Sequence, residues 1–122
     1  MLPLVCEPPA VSAHRWGRDE CLDAIKLIHH LAEEENYWFH SRARQGLHEL
    51  GHNEDDVAEC LCTFGLDDVD FSADKRDRDR PDKRVLVLRY RTGDEQLYVK
   101  MSFRPTGAPE LVVLSYKPWV NS

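Results

Sequence analysis

Tyrosine, lysine and arginine side chains alternate with apolar ones through the last third of the chain. In the segment 97–103 (LYVKMSF), apolar residues hold the odd positions, whereas Tyr98 and Lys100 hold even ones. Side chains alternate across a β-strand, so the odd positions predict a buried face and the even positions a polar face. A phenol and an amine on one face can donate a proton and neutralise a phosphate.

Those are tasks that RNA cleavage without a metal ion requires, together with removal of the 2′-hydroxyl proton. Lys117, at the end of the following apolar run, joins Tyr98 in the candidate catalytic set. Arginine and lysine side chains nearby would bind the phosphate backbone and add affinity without sequence choice. We assign this RNA-binding role to Arg76, Arg78, Arg80, Lys83, Arg89, Arg91 and Lys100.

A second pattern, His48-Glu49-Leu50-Gly51-His52, matches H-E-x-x-H, in which two histidines hold zinc and the glutamate acts as a base. The pattern needs a helix that continues through the second histidine. Gly51 followed by Asn53 predicts instead that one helix ends and another begins there. Zinc hydrolysis is therefore a minor alternative, and no metal ligand is assigned.

The first half of the chain has helical periodicity. Apolar residues recur at three- and four-residue spacing from about Arg18 to Glu35, and acidic residues occupy the first turn of this segment. Two shorter helices are expected, one that Ser41 caps and that runs to Leu50, and one that Asn53 caps and Gly65 ends. These helices make up a helical part, residues 18–65, after an irregular segment, residues 1–17.

The second half predicts a β-sheet. Three β-branched and aromatic runs are separated by the turn signals Thr92-Gly93-Asp94 and Pro105-Thr106-Gly107, which is typical of an antiparallel meander. The sheet part covers residues 70–118 and includes a charged segment, residues 75–83 (KRDRDRPDK), termed the basic loop. Helices followed by strands predict a single α+β domain, residues 1–122, with the N-terminal helices packed on one face of a C-terminal antiparallel sheet.

Charge is distributed unevenly along the chain. Residues 1–74 contain 5 Lys/Arg and 16 Asp/Glu, a net charge of −11, whereas residues 75–122 contain 11 Lys/Arg and 6 Asp/Glu, a net charge of +5. This asymmetry is compatible with polyanion binding by the second half, and equally with two solvated surfaces of opposite sign. No apolar run approaches the roughly 18 residues of a membrane span, and the first residues do not resemble a signal peptide. We therefore expect a cytoplasmic protein with no membrane partner.

Four stretches in this order and spacing resemble the MqsR family of bacterial toxins, over roughly Ser41 to Pro118. They are Glu49-Leu50-Gly51, then Gly65-Leu66 with Asp70-Phe71, then Gln96-Leu97-Tyr98-Val99-Lys100-Met101, and last Val113-Leu114-Ser115-Tyr116-Lys117. The resemblance implies a RelE-like fold and a metal-independent endoribonuclease that cuts mRNA, needs no cofactor and is neutralised by a cognate antitoxin.

The resemblance also implies a catalytic set of two lysines, a glutamine and a tyrosine. Tyr98 and Lys117 stand at the positions of the tyrosine and the second lysine. Ala73 stands where the first lysine is expected, so Lys75, two residues on, is taken as the third member of the candidate catalytic set. Val85 stands where the glutamine is expected. Two hypotheses follow: an mRNA-cleaving toxin, and a non-catalytic RelE-like module that binds protein or RNA.

Overall fold

The computed structural model describes residues 14–119, and the predicted irregular segment lies mostly outside this range. Helix α1 spans Arg18–Glu33, and the Glu20 carboxylate accepts a hydrogen bond from the backbone N–H of Gly17 at its N-terminus. Its buried residues recur at helical spacing, as the sequence predicts: Cys21, Ala24, Ile25, Ile28, Leu31 and Ala32. Just before the helix, the Trp16 indole N–H donates to the Val85 carbonyl at 2.9 Å, which anchors this part of the chain to the sheet.

Two short helices follow and are separated by a sharp turn. Helix α2 spans Ser41–Leu50 and helix α3 spans Glu54–Thr63. Gly51 ends α2 in the left-handed conformation, with φ of 72°, and Asn53 caps α3 by accepting a hydrogen bond from the Asp56 N–H. The predicted end and restart of the helix are confirmed, because glycine adopts this conformation without the Cβ strain of other residues.

The sheet contains the predicted meander and one additional strand. Strands β2 (Arg84–Thr92), β3 (Glu95–Phe103) and β4 (Leu111–Pro118) pair antiparallel in sequence. A two-residue strand, β1 (Trp38–Phe39), pairs parallel with β4, and the order across the sheet is β1-β4-β3-β2. The α+β class is confirmed, but the sheet is mixed, not purely antiparallel. The aromatic pair Trp38-Phe39 that forms β1 is too short for its sequence to predict a strand.

All three helices contribute to one hydrophobic core with one face of the sheet. Leu97, Val99, Met101 and Phe103 of β3 are buried in it, which confirms the predicted alternation. Helix α2 packs unusually close to β4: a Cβ atom on Gly46 would lie 1.9 Å from the Tyr116 carbonyl oxygen. The face that carries Tyr98 and Lys100 points away from this core and is called the open face. Within residues 14–119, no helix is long and apolar enough to cross a membrane.

Candidate functional site

Three predicted site residues form a row across the open face. Arg89 on β2 is the cross-strand partner of Tyr98 on β3, which is in turn the partner of Lys117 on β4. Directly paired residues project from the same face of a sheet. The Lys117 Nζ atom lies 5.0 Å from the centre of the Tyr98 ring, within range of a cation–π contact. The row therefore places a phenol between two cations.

A bulge in β4 determines this row. Met101 pairs with Val113, but the next residue back on β3, Lys100, pairs with Ser115, so Leu114 has no partner on β3. If the register of the Met101–Val113 pair continued without the bulge, Tyr98 would pair with Tyr116 and Lys117 would face the core. One extra residue reverses the facing of the rest of the strand. Tyr116 is accordingly buried, and Lys117 is exposed on the open face.

Trp119 joins the row and was not predicted as part of the site. Its backbone N–H donates to the Gln96 carbonyl at 2.8 Å, which continues the pairing one residue past β4. The Arg89 guanidinium lies 4.2 Å from the centre of the Trp119 ring, and the Trp119 and Tyr98 ring centres are 5.8 Å apart. The alternation of Lys117 and Trp119 along one strand was the signal that could have identified it.

The environment of Tyr98 keeps its phenol protonated. Partial burial raises the pKa of Tyr98 above its ordinary value of 10.0, and the negative charge of Asp70 raises it further. At neutral pH the side chain is therefore a hydrogen-bond donor and a potential proton donor, not a base.

The basic loop covers the other half of the open face and encloses a cleft of about 720 Å³. The Ser102 hydroxyl on β3 donates to the Asp77 carboxylate of the loop at 3.0 Å. Tyr98 and Lys100 line this cleft, as do Ala73 and Val85. The two positions at which the resemblance places a lysine and a glutamine thus lie in the same cleft as the tyrosine, and both hold apolar side chains.

Lys83, predicted to bind RNA, is directed inward. Its side chain is 3% exposed and forms an ion pair of 2.9 Å with Glu110, which also lies 3.3 Å from Arg104. Arg104 pairs in addition with Asp82 at 2.9 Å, so the end of the basic loop is joined to the turn between β3 and β4. The hydrogen bond from Lys83 lowers the pKa of Glu110 below its ordinary value of 4.5, and nearby positive charges add to this effect.

Two further predicted cations are also paired internally. The Lys75 ammonium contacts both carboxylate oxygens of Glu20 on α1, at 2.8 and 2.9 Å, and lines neither of the clefts that Tyr98 lines. The Arg76 guanidinium donates two hydrogen bonds to Asp74, of 2.7 and 3.1 Å, and its backbone N–H donates a third of 2.8 Å. These bonds hold the pKa of the Asp74 carboxyl well below its usual range. The structure therefore does not bring Lys75 to Tyr98. No local pattern pairs Lys75 with Glu20, which is 55 residues away, whereas Asp74 lies two residues before Arg76 and this proximity was the available signal.

Other predicted cations remain available to a ligand. Lys100 is partly buried in the cleft beneath the basic loop, and the others are solvent-exposed. Among residues 14–119, no ion pair involves Arg78, Arg80, Arg89, Arg91, Lys100 or Lys117. The positive charge offered to a polyanion thus comes mainly from the sheet and from the middle of the basic loop.

His40 lines the same cleft and was not predicted. It follows β1 directly and caps α2 in place of the predicted Ser41, which is the first residue of the helix: the His40 Nδ1 accepts a hydrogen bond from the Arg42 N–H at 3.1 Å. In the neutral ring, this bond leaves the proton on Nε2. Parallel pairing of β1 with β4, which the sequence did not indicate, brings His40 to the open face.

The H-E-x-x-H residues are not arranged as a zinc site. His48 lies in the last turn of α2, whereas His52 lies beyond the helix end at Gly51. Both ring nitrogens of His52 are engaged: Nδ1 with the Tyr116 hydroxyl and Nε2 with the Glu95 carboxylate, each at 2.9 Å. Within the described part of the chain, no three His, Cys, Asp or Glu side chains are grouped so that they could share a metal ion.

Comparisons with protein-family models, with curated proteins and with solved structures gave no match to this chain. The resemblance to the MqsR family therefore depends on the ordered motifs alone.

Proposed function

We propose that this protein is a metal-independent endoribonuclease toxin that cleaves mRNA in the cytoplasm and is neutralised by a cognate antitoxin. The row of Arg89, Tyr98 and Lys117 on the open face is the observation that carries this proposal. It supplies a protonated phenol beside two cations, none of which is paired with a carboxylate in the described residues. The α+β fold, in which the helices of residues 14–119 pack on one face of the sheet, is compatible with the RelE-like fold that the resemblance implies.

In the proposed reaction, the 2′-oxygen of the RNA attacks the adjacent phosphorus and the bond from phosphorus to the 5′-oxygen breaks. Lys117 and Arg89 would stabilise the negative charge that develops on the phosphate oxygens. Tyr98 would donate its proton to the departing 5′-oxygen, a role that fits a pKa raised above 10.0. The products are a 2′,3′-cyclic phosphate and a 5′-hydroxyl end.

The 2′-hydroxyl proton needs an acceptor, and Lys100 and His40 line the cleft. Lys100 would have to act as the neutral amine, and His40 would have to release the Arg42 N–H from its Nδ1. Separate Lys100→Met and His40→Asn variants would assign this step. Asparagine is a good helix N-cap and preserves the capping role of His40, so that a loss of cleavage would reflect the missing imidazole.

A second candidate function is a non-catalytic module that binds RNA or a protein partner. The specific observation in its favour is the cleft beneath the basic loop, where Ala73 and Val85 supply no polar groups and Lys83 is neutralised by Glu110. The geometry of His52 gives no support to zinc hydrolysis through the H-E-x-x-H pattern.

A cleavage assay separates these functions. Purified protein would be incubated with mRNA in EDTA, with and without ribosomes, alongside a Tyr98→Phe variant. The proposal expects cleavage by the wild type in EDTA, a strong loss in Tyr98→Phe, and relief of growth arrest on overexpression of that variant. Binding without products under either condition would favour the module, and cleavage abolished by EDTA would contradict the metal-independent mechanism.

A further inference from the structure

We propose that the cleft between Trp119 and Tyr98 binds one base of the RNA by stacking, in the nucleotide next to the scissile phosphate. This inference deepens the proposed function and rests on it. The cleft measures about 290 Å³ and is lined by Tyr98, Lys117, Pro118 and Trp119. Of these four lining residues, only Tyr98 also lines the larger cleft beneath the basic loop.

Strand geometry holds the two aromatic walls in place. Tyr98 lies within β3, and the backbone bond from Trp119 to Gln96 fixes the indole one position beyond the end of β4. The two ring centres are 5.8 Å apart and the ring planes are inclined by 38°, so the rings form a wedge and not a closed stack. The cleft lies against both rings, so a third ring bound in it would contact Tyr98 and Trp119 together.

The size of the cleft suits one ring system. Binding sites for drug-sized ligands usually occupy about 300–1,000 Å³, so a cleft just below that range accepts a single nucleotide base and not a longer ligand. Aromatic side chains that stack on bases are the recurrent means of holding single-stranded nucleic acid.

Charge complementarity identifies the ligand as a nucleotide and not a neutral aromatic compound. Lys117 lies over the Tyr98 ring at 5.0 Å, and Arg89 lies over the Trp119 ring at 4.2 Å. Both cations border the aromatic wedge and form no ion pair with a carboxylate in residues 14–119. A base in the wedge would therefore place its own phosphate beside the cations that the proposed reaction uses.

The lining also indicates what the cleft would select. None of its four side chains has the paired donor and acceptor of an amide, so hydrogen bonds to a base edge would come only from single groups: the Tyr98 hydroxyl, the Trp119 indole N–H and the Lys117 ammonium. Stacking is tolerant of sequence, and a larger ring system offers more surface to stack. We therefore expect a modest preference for a purine.

Binding of a tetradeoxyadenylate tests the inference, because this probe lacks the 2′-hydroxyl and cannot be cleaved by the proposed reaction. A tetranucleotide with the same phosphates and no bases serves as the matched ligand. Fluorescence anisotropy would be measured with the wild type, Trp119→Leu, Trp119→Phe and, as the control, Trp38→Leu, which removes an exposed tryptophan on β1.

Loss of one stacking contact should weaken binding of the tetradeoxyadenylate to Trp119→Leu by about 5- to 150-fold. Affinity for the abasic ligand should be unchanged in Trp119→Leu. Trp119→Phe and Trp38→Leu should bind both ligands nearly as the wild type does. Equal loss of affinity for both ligands in Trp119→Leu, or a lowered thermal midpoint that Trp119→Phe shares, would show that Trp119 only fastens the end of β4 and would overturn the subsite.

The two proposals fail in different ways. If the wild type binds both ligands equally, the base subsite is refuted, whereas phosphate binding and the proposed ribonuclease function stand. If it binds neither ligand, the subsite is refuted, and the cleavage assay with mRNA decides the proposed function separately. If it binds the tetradeoxyadenylate preferentially but cleaves no RNA, the subsite stands and the non-catalytic module replaces the enzyme.

Discussion

The ammonium of Lys117 lies above the ring of Tyr98, 5.0 Å from its centre, and the two residues are direct partners across β3 and β4. This pairing exists only because β4 contains a bulge at Leu114, beyond which the strand reverses its facing. Bulges often redirect a side chain beside a functional site. The bulge at Leu114 therefore creates the contact between Lys117 and Tyr98 on which the proposed chemistry depends.

Replacement of Lys117 tests the electrostatic part of the proposed mechanism. Loss of one preorganised charge at the transition state commonly lowers kcat by about 100- to 1,000-fold, and we expect a loss of that order in Lys117→Met. Lys117→Arg keeps the charge and should retain much of the activity. Both variants should have the same thermal midpoint as the wild type, because Lys117 is solvent-exposed. Lys26→Met, which removes an exposed lysine from α1, is the matched control. Undiminished cleavage by Lys117→Met would remove this residue from the active site.

The protonation state of Tyr98 predicts how its contribution to cleavage depends on pH. Burial raises its pKa above 10.0, so the phenol keeps its proton throughout the range from about pH 6 to pH 9. A proton donor with such a pKa contributes equally at every pH in that range. The ratio of kcat/KM between the wild type and Tyr98→Phe should therefore be constant when both profiles are measured. A ratio that increases about tenfold with each pH unit would show that the phenolate is the active form.

The contact between α2 and β4 sets a strict limit on residue size at Gly46. Alanine there gains roughly 1 kcal/mol of helix propensity, but its Cβ would lie 1.9 Å from the Tyr116 carbonyl oxygen. Overpacking of this kind costs about 1–3 kcal/mol or more, and the obstacle is backbone that cannot rotate away. We expect Gly46→Ala to lower the free energy of unfolding by about 2 kcal/mol in urea denaturation. Gln45→Ala, one position earlier on the exposed surface of α2, should not lower it.

Periodicity and turn chemistry were sufficient to predict the three helices, the meander and the faces of β3. The bulge that positions the site and the ion pairs of the basic loop had no comparable signal. The β4 bulge interrupts the alternation in Val113-Leu114-Ser115, where all three residue types suit a strand. The partners of Lys75 and Lys83 are Glu20 and Glu110, and such pairs depend on tertiary structure that a local pattern does not encode. For this reason the sequence predicted that Lys75 and Lys83 would contact RNA, whereas in the folded protein both lysines form ion pairs with carboxylates of the same chain.

The ion pair of Lys83 and Glu110 should stabilise the fold, since removing one partner leaves a buried charge uncompensated. Glu110→Gln should lower the free energy of unfolding at neutral pH by about 3 kcal/mol, because only 3% of the Lys83 side chain is exposed. The folded-state pKa of Glu110 is below 4.5, so the stabilisation is complete above that pH and is lost as the pH falls through the folded-state pKa. In urea denaturation at neutral and acidic pH, the difference in free energy of unfolding between the wild type and Glu110→Gln should therefore shrink on acidification.

Asp74→Asn, which breaks the more exposed pair with Arg76, is the control and should have little effect at neutral pH. A Glu110→Gln variant as stable as the wild type at neutral pH would show that the pair does not hold the basic loop against the sheet.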